Sequence, residues 1–240
     1  MKILDDILTT LKREELVRDV RQGPFQTAVL TRSCGLAATP HEEADHQDNP
    51  PVKPAGTLLG RDALEVARLA YSLSSFEAAI GMAAINSLLN IDERRCLEIN
   101  ARDLLAEKGN GKAIVLVGHF PFAEGLRTRA EKLWVLERHL REGDLPESEA
   151  GNLLPQADVV GISGTAFTNH TIESLLSFCR PEAYVVVLGG TAPLSPVLFD
   201  YGVDAISGTM VIDSEVVLRG VSQGATFRQI RGVRLLTMIK

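Results

Sequence analysis

The sequence predicts an α/β protein in two parts: a small α+β domain over residues 1–109, then a parallel-sheet domain over residues 110–240. Three observations lead there. From residue 113 onward, short continuous apolar runs alternate with amphipathic stretches, the signature of parallel strands buried on both faces. Before residue 109 the order differs: two β-rich runs around a short turn come first, and helices follow. Between these patterns stands Gly109-Asn110-Gly111, a cluster that breaks regular structure.

Taken in order, residues 3–20 open with helical spacing. Leu4, Leu8 and Leu11 share one face, with Asp5, Lys12 and Arg13 around them, and Gly23-Pro24 stops the helix. Phe25–Thr31 and Cys34–Thr39 read as a hairpin turning at Arg32-Ser33. Residues 40–56 are acidic, polar and Pro-rich, hence a loop. Arg61–Leu73 carries Ala63, Val66, Ala67, Ala70 and Leu73 at helical spacing. Ser74-Ser75-Phe76-Glu77 is a capping box opening the helix FEAAIGMAAINSLLN, and a short helix spans Ala101–Lys108. In the second domain, strands are expected at Ala113–Val117, Leu133–Leu136, Asp158–Ile162, Tyr184–Leu188, Asp204–Ile206 and Val233–Met238. Helices are expected at Ala123–Glu131, Thr168–Cys179 and Ser214–Val221. Repeated βα units of this kind make a Rossmann-like sheet.

Composition narrows the partners. With 25 Lys plus Arg against 31 Asp plus Glu, the net charge of −6 favours no nucleic-acid backbone. Apolar runs fall short of the ~18 residues of a membrane span, and the N-terminus lacks a signal-type apolar region. A cytoplasmic protein with a small-molecule ligand is expected, and a homo-oligomer is compatible with it. Cys34, Cys96 and Cys179 form no C-x-x-C pair, which excludes a zinc ribbon, a thioredoxin motif and an even disulfide framework. Cys34 and Cys179 read as small buried hydrophobes rather than reactive thiols.

In a parallel sheet, ligands sit beyond the carboxyl ends of the strands. There this chain places Gly118-His119-Phe120-Pro121-Phe122, Ser163-Gly164-Thr165-Ala166-Phe167-Thr168-Asn169-His170-Thr171, and Gly189-Gly190-Thr191-Ala192-Pro193-Leu194. Thr168 is the expected N-cap of the following helix. Gly164 is expected to let a ligand approach the backbone, and Phe120, Phe122 and Phe167 could form either a flat wall or core. His119 and His170 are the histidines on these loops with acid–base chemistry near neutral pH. Glu137 ends the second strand of this domain, where a carboxylate can accept ribose hydroxyls or simply be solvated. No G-x-G-x-x-G accompanies it, so a dinucleotide is not expected. P-loop and H-E-x-x-H motifs are absent, and Gly161-Ile162-Ser163-Gly164-Thr165 departs from the nucleophile elbow at its fifth position. His41 and His46 with Glu42, Glu43, Asp45 and Asp48 carry metal-donor chemistry, but a Pro-flanked loop imposes no ligand geometry; a solvated acidic connector is the simpler reading. Glu77 and Asn86 point to opposite sides of their helix at about 100° per residue, so they cannot serve one pocket from mid-helix.

The motifs resemble a family. Ser75-x-Glu77-Ala78-Ala79-Ile80-Gly81-x-Ala83-Ala84-Ile85-Asn86-Ser87-Leu88-Leu89, Val117-Gly118-x-Phe120-Pro121, Glu137, Thr165-x-x-x-Asn169-x-Thr171 and Leu188-Gly189-x-x-x-Pro193-Leu194 are similar to the signature of the putative heavy-metal chelation proteins, from about residue 25 to 224. The resemblance implies a first domain like the N-terminal domain of enolase, a Rossmann-like second domain, and a site between them. It also implies making, modifying or handling metal-chelating small molecules, pterin- or siderophore-like; the leading expectation is a small anionic or heterocyclic ligand in the interdomain cleft, with condensation or hydrolysis as the chemistry open to it. Ligand contacts then fall to Glu77, Asn86, Gly118, Phe120, Pro121, Phe122, Glu137, Gly164, Thr165, Asn169, Thr171, Gly189 and Gly190, with His119 and His170 as catalytic candidates. His170 stands where the pattern usually has glycine, and Gly190 where proline is commoner. Two alternatives stay open: a non-catalytic heavy-metal-binding protein, and a methyltransferase-like enzyme holding the ribose of S-adenosylmethionine on Glu137. No particular cofactor or metal is specified, and the sequence does not decide whether the protein is an enzyme.

Overall fold

A computed structural model describes residues 1–11, 14–41 and 50–240. Its elements form a mixed α/β structure with one small antiparallel sheet and one large, mostly parallel sheet. The small sheet has the order β1-β2-β3, from β1 (Asp19–Gln22), β2 (Gln26–Leu30) and β3 (Cys34–Ala38). The expected hairpin is β2–β3, in register from Gln26 opposite Ala38 to Leu30 opposite Cys34.

The helix expected over residues 3–20 is shorter: α1 spans Lys2–Thr10 and buries Ile3, Leu4 and Ile7. Tertiary pairing overrides helical spacing beyond it. The Val17 N–H donates to the Arg61 carbonyl, Leu16 bridges Asp62, and Asp19–Gln22 joins β2 as an edge strand. Arg61–Leu73 resolves into α2 (Ala63–Ala67), capped by Asp62, and a 3-10 turn over Arg68–Tyr71. The Ala-rich helix α3 (Ser75–Leu88) is buried on nearly every side, lying against β2 and β3, α2 and that turn. A helix apolar all round needs such complete cover.

The large sheet has the order β4-β11-β10-β9-β8-β5-β6-β7. Its strands are β4 (Cys96–Leu97), β5 (Ala113–Val117), β6 (Lys132–Glu137), β7 (Leu145–Pro146), β8 (Val159–Ser163), β9 (Tyr184–Leu188), β10 (Ala205–Val211) and β11 (Val233–Ile239). From β5 to β10 all pairs are parallel; β11 and β4 run antiparallel at one edge. β4 and β7 are two-residue strands that no periodicity marks.

Alternation along β5 sorts the core. Ile114 and Leu116 pack with Leu104 and Leu105 of α4 (Ala101–Lys108) and Leu126 of α5 (Ala123–Arg127). Val115 and Val117 face the opposite way, into a core that also holds Ile3 and Ile7 of α1, Ile80 and Ile85 of α3, and Leu175 of α7 (Ile172–Phe178). Short α6 (Ala150–Leu153) lies beside α7, and α8 (Ser214–Ser222) covers β1 and β2. One continuous core therefore joins the two sheets. The break at Gly109–Gly111 falls within the large-sheet part, since α4 and β4 precede it and pack on that sheet. Among the described residues, no helix is long and apolar enough to cross a membrane.

Candidate functional site

Strand order locates the crevice. The chain runs outward from β5 to β6 and β7, then returns to place β8 on the other side of β5. Connections leave β5 and β8 in opposite directions, and the space beyond their carboxyl ends stays open. Gly118, directly after β5, has φ +106°, and a Cβ there would meet the Ser163 Cβ at 3.0 Å. Only glycine lets these two strand ends approach so closely.

The Ser163–Thr171 loop is held by its own side chains. The Ser163 hydroxyl accepts the Thr165 N–H and shares a 2.8 Å hydrogen bond with the Thr165 hydroxyl. Asn169 Oδ1 accepts from both the N–H and the hydroxyl of Thr171. Thr168 is not the helix cap expected of it: its hydroxyl donates to the Thr165 carbonyl, and α7 begins after Thr171 with no side-chain cap. The space beside Gly164 is taken by protein, because a Cβ there would lie 2.4 Å from the Ala192 nitrogen. That glycine serves loop-to-loop packing, not the approach of a ligand.

Facing these strand ends across a cavity of about 630 Å³ is the small sheet, through Phe25, Gln26, Ala38 and Thr39. The other wall includes Pro121, Glu137, Thr165, Thr168 and Asn169. Arg138, Arg141, Arg228, His41 and His139 also line it, and Glu137 is the only acidic group among the described lining residues. A narrower crevice of about 60 Å³ continues inward past Glu137 and Asn169 to Gly118, Ser163 and Thr171. Among the described residues, this is a local reversal of sign on a chain of net charge −6. Low-dielectric walls concentrate such a field and attract anions.

The expected site residues are placed as follows. Glu137 lines both cavity and crevice, but its carboxylate already accepts backbone N–H groups: His119 at 2.8 Å, Arg138 at 2.8 Å and His139 at 3.5 Å. The His119 Nδ1 faces both oxygens of Asp144 at 3.1 Å, and the Asp144 side chain is 3% exposed. His170 lies in the left-handed region at φ 61°, and its Nε2 donates to the Ala70 carbonyl at 2.9 Å, away from the cavity. That backbone conformation suits glycine and costs another residue about 1 kcal/mol, which the bond to Ala70 offsets.

Phe120 and Phe122 stack with ring centroids 5.2 Å apart and line a neighbouring pocket of about 330 Å³ with Leu188, Gly189 and Ser207–Thr209. Pro121, Phe227 and Arg228 border both spaces. Phe167, in contrast, is 0% exposed and belongs to the core. Glu77 and Asn86 serve different places: Glu77 accepts from the Lys53 N–H and the Ser72 hydroxyl, while the Asn86 amide donates to the Leu36 and Thr191 carbonyls. Gly190 borders Gln26 and Phe227.

Sequence reasoning passed over Gln26, Arg138, His139, Arg141, Phe227 and Arg228. For three of them a signal existed, since Arg138-His139-Leu140-Arg141 directly follows β6 and strand-end loops carry ligand contacts. Phe227 and Arg228 follow α8 with no local pattern. Among the described residues, no group of three or more His, Cys, Asp or Glu is placed to hold a metal ion. His41 packs edge-on against Phe25 at 5.5 Å; His46, Glu42, Glu43, Asp45 and Asp48 lie outside the described residues, as do Lys12 and Arg13.

Fold and site together define a parallel α/β protein with a cation-lined cleft at its strand ends. The chain belongs to the family described as putative heavy-metal chelation, whose two models match residues 4–89 and 100–240. A protein of unknown function from Desulfitobacterium hafniense DCB-2 has a crystal structure that matches with a TM-score of 0.89 at 26% identity, covering 100% of this chain and 98% of that one. A protein of unknown function from Pyrococcus horikoshii shares the fold, with a TM-score of 0.84 at 21% identity and the same coverage, 100% and 98%. An uncharacterized protein of Methanocaldococcus jannaschii is 29% identical over 169 residues, 67% of this chain; the match spans 64% of that protein's length.

Proposed function

We propose that the protein binds a small anionic ligand in the cleft between the two sheets. The observation that carries this is the convergence of Arg138, Arg141 and Arg228 on one cavity with a single carboxylate among the described lining residues. Glu147 partly balances Arg138 at 3.5 Å, so Arg141 and Arg228 are the principal anion contacts. An anionic metal-chelating molecule, free or carrying its ion, fits both this lining and the family description. A pterin- or siderophore-like compound bearing acid groups belongs to that class. In this reading the small-sheet part corresponds to an enolase N-terminal-like domain, the large sheet to a Rossmann-like domain, and the protein works in the cytoplasm. His119, held by Asp144 directly after β5, is the candidate acid–base group for any condensation or hydrolysis, although the cavity itself is lined by His41 and His139 instead.

Calorimetric titration with citrate, a tricarboxylate chelator, tests the reading, with neutral triethyl citrate as the control. Citrate is expected to bind, more weakly as salt rises. Arg141→Ala and Arg228→Ala should each weaken it about tenfold to a hundredfold, the worth of one charged hydrogen bond. Equal behaviour of acid and ester, or no effect of either substitution, would overturn it.

A further inference from the structure

Strand register builds the floor of the 330 Å³ pocket that Phe120 and Phe122 border. Leu188 stands opposite Ser207, Ser207 opposite Thr237, and Thr209 opposite Leu235, which puts all five on one face of β9, β10 and β11. Leu188 packs with Leu104 and Leu105, so this is the face that α4 covers over β8 and β9. Over β11 it stays open, and Leu235 is 46% exposed. The floor is polar in composition and apolar in effect. The Thr237 hydroxyl donates to the Ile99 carbonyl at 2.8 Å, so the Ser207 hydroxyl is the donor in its 2.7 Å bond to Thr237. The Thr209 oxygen is buried out of reach. No floor hydroxyl has a free proton to offer, and the contact surface falls to Leu188, Leu235 and three phenylalanines, Phe120, Phe122 and Phe227. Gly189, at φ +113° directly after β9, leaves the space beside it empty, since a Cβ there would meet nothing within 4 Å. Charge marks one side. Arg228 is exposed, borders both this pocket and the cleft, and makes no ion pair among the described residues. Arg102, the other cation of the lining, is already paired with Asp103 at 2.9 Å, and no carboxylate stands among the described lining residues.

We propose that this pocket is a subsite for a flat aromatic ring whose acid group is held by Arg228. The ligand class is therefore an aryl or heteroaryl acid, with its ring on the α4 face of the large sheet and its charge at the border with the cleft. Aromatic walls favour a flat ring over an aliphatic chain of equal area, and an apolar floor with its hydroxyls already bonded exacts no polar match from that ring. The proposal rests on the anionic-ligand reading for the acid group and adds the ring to it.

Calorimetry on the full-length protein with 2-naphthoate, octanoate and acetate tests the subsite, since the three share one acid group and differ in what it carries. One equivalent of 2-naphthoate is expected to bind, at least a hundredfold more tightly than acetate and at least fivefold more tightly than octanoate. Phe122→Ala should weaken 2-naphthoate at least tenfold and Arg228→Ala likewise. Leu235→Ala should weaken it at least threefold while leaving citrate unchanged, because Leu235 lines this pocket and not the cleft. Three results overturn the proposal: 2-naphthoate no tighter than acetate, octanoate as tight as 2-naphthoate, or 2-naphthoate affinity unmoved by Leu235→Ala or by Arg228→Ala. In each of these, citrate binding to the wild-type protein leaves the anionic-ligand reading standing. Absence of binding by citrate and 2-naphthoate alike overturns both. Leu235 is exposed on its strand, so Leu235→Ala decides even where Phe122→Ala fails to fold.

Discussion

Replacing Glu77 separates a structural carboxylate from a ligand contact. The side chain is 6% exposed and makes two charge-assisted bonds, from the Lys53 N–H at 2.8 Å and the Ser72 hydroxyl at 2.5 Å. The Ser72 oxygen in turn accepts the Ser74 N–H at 3.1 Å, so the capping box closes through Ser72 instead of directly. Truncation in Glu77→Ala leaves both donors without an acceptor. At about 1.5 kcal/mol for each bond to a charged group, the loss is about 3 kcal/mol. Glu77→Gln keeps one acceptor oxygen and should lose about half as much. Against a typical stability of about 5–15 kcal/mol, either change is measurable. Urea unfolding followed by circular dichroism gives the numbers, with an unchanged slope showing that the denatured state is the same. Citrate affinity should stay constant in both variants, since Glu77 is not among the lining residues. Stability within about 0.5 kcal/mol of wild type in both, or lost citrate binding at full stability, would refute the reasoning.

Burial, reinforced by the Asp19 charge, pushes the Cys34 thiol from 9.0 up to about 12. A raised folded-state value favours the neutral thiol in the native protein. Its contribution is complete below pH 9 and drains away as pH rises from there toward 12. Cys34→Ala should accordingly flatten the fall in stability between pH 8 and pH ~10.5, and equal slopes in the two proteins would contradict this. A second prediction concerns the domain division, which we place before β4. Leu104 and Leu105 are buried against Ile114 and Leu116, at about 1.5–3 kcal/mol for each leucine. A fragment of residues 92–240 should thus melt at a higher temperature than one of residues 112–240, and identical melting curves would remove α4 from the folding unit.

Much of the fold was legible because its elements carry their own signals. Ala113–Val117 and Tyr184–Leu188 are continuous apolar runs, and the structure has strands over just those residues. The β2–β3 hairpin and α3 followed from short-range patterns in the same way. Signals of this kind fail where pairing is decided at a distance. β1 begins within the last two residues of a stretch with helical spacing, and β4 and β7 are too short to have any period. The site divides along the same line. The loops after β5 and β8 could be named in advance, because parallel sheets leave their carboxyl ends open. The roles of single side chains within them could not. Thr168, Gly164 and His170 are committed to the Thr165 carbonyl, the Ala192 backbone and the Ala70 carbonyl.

By itself, then, the sequence determined an α/β chain with a mostly parallel sheet, the identity of its main strands, and the loops that border the cleft. These depend on apolar periodicity and glycine placement, which act within a few residues. Tertiary structure alone decided the sign of the cleft. Arg138 and Arg141 follow β6, Arg228 follows α8, and Gln26 starts a strand of the other sheet. Their charges and hydrogen bonds acquire meaning only when packing brings segments some two hundred residues apart around one cavity, because electrostatic and hydrogen-bonding energies depend on distance in space and not along the chain.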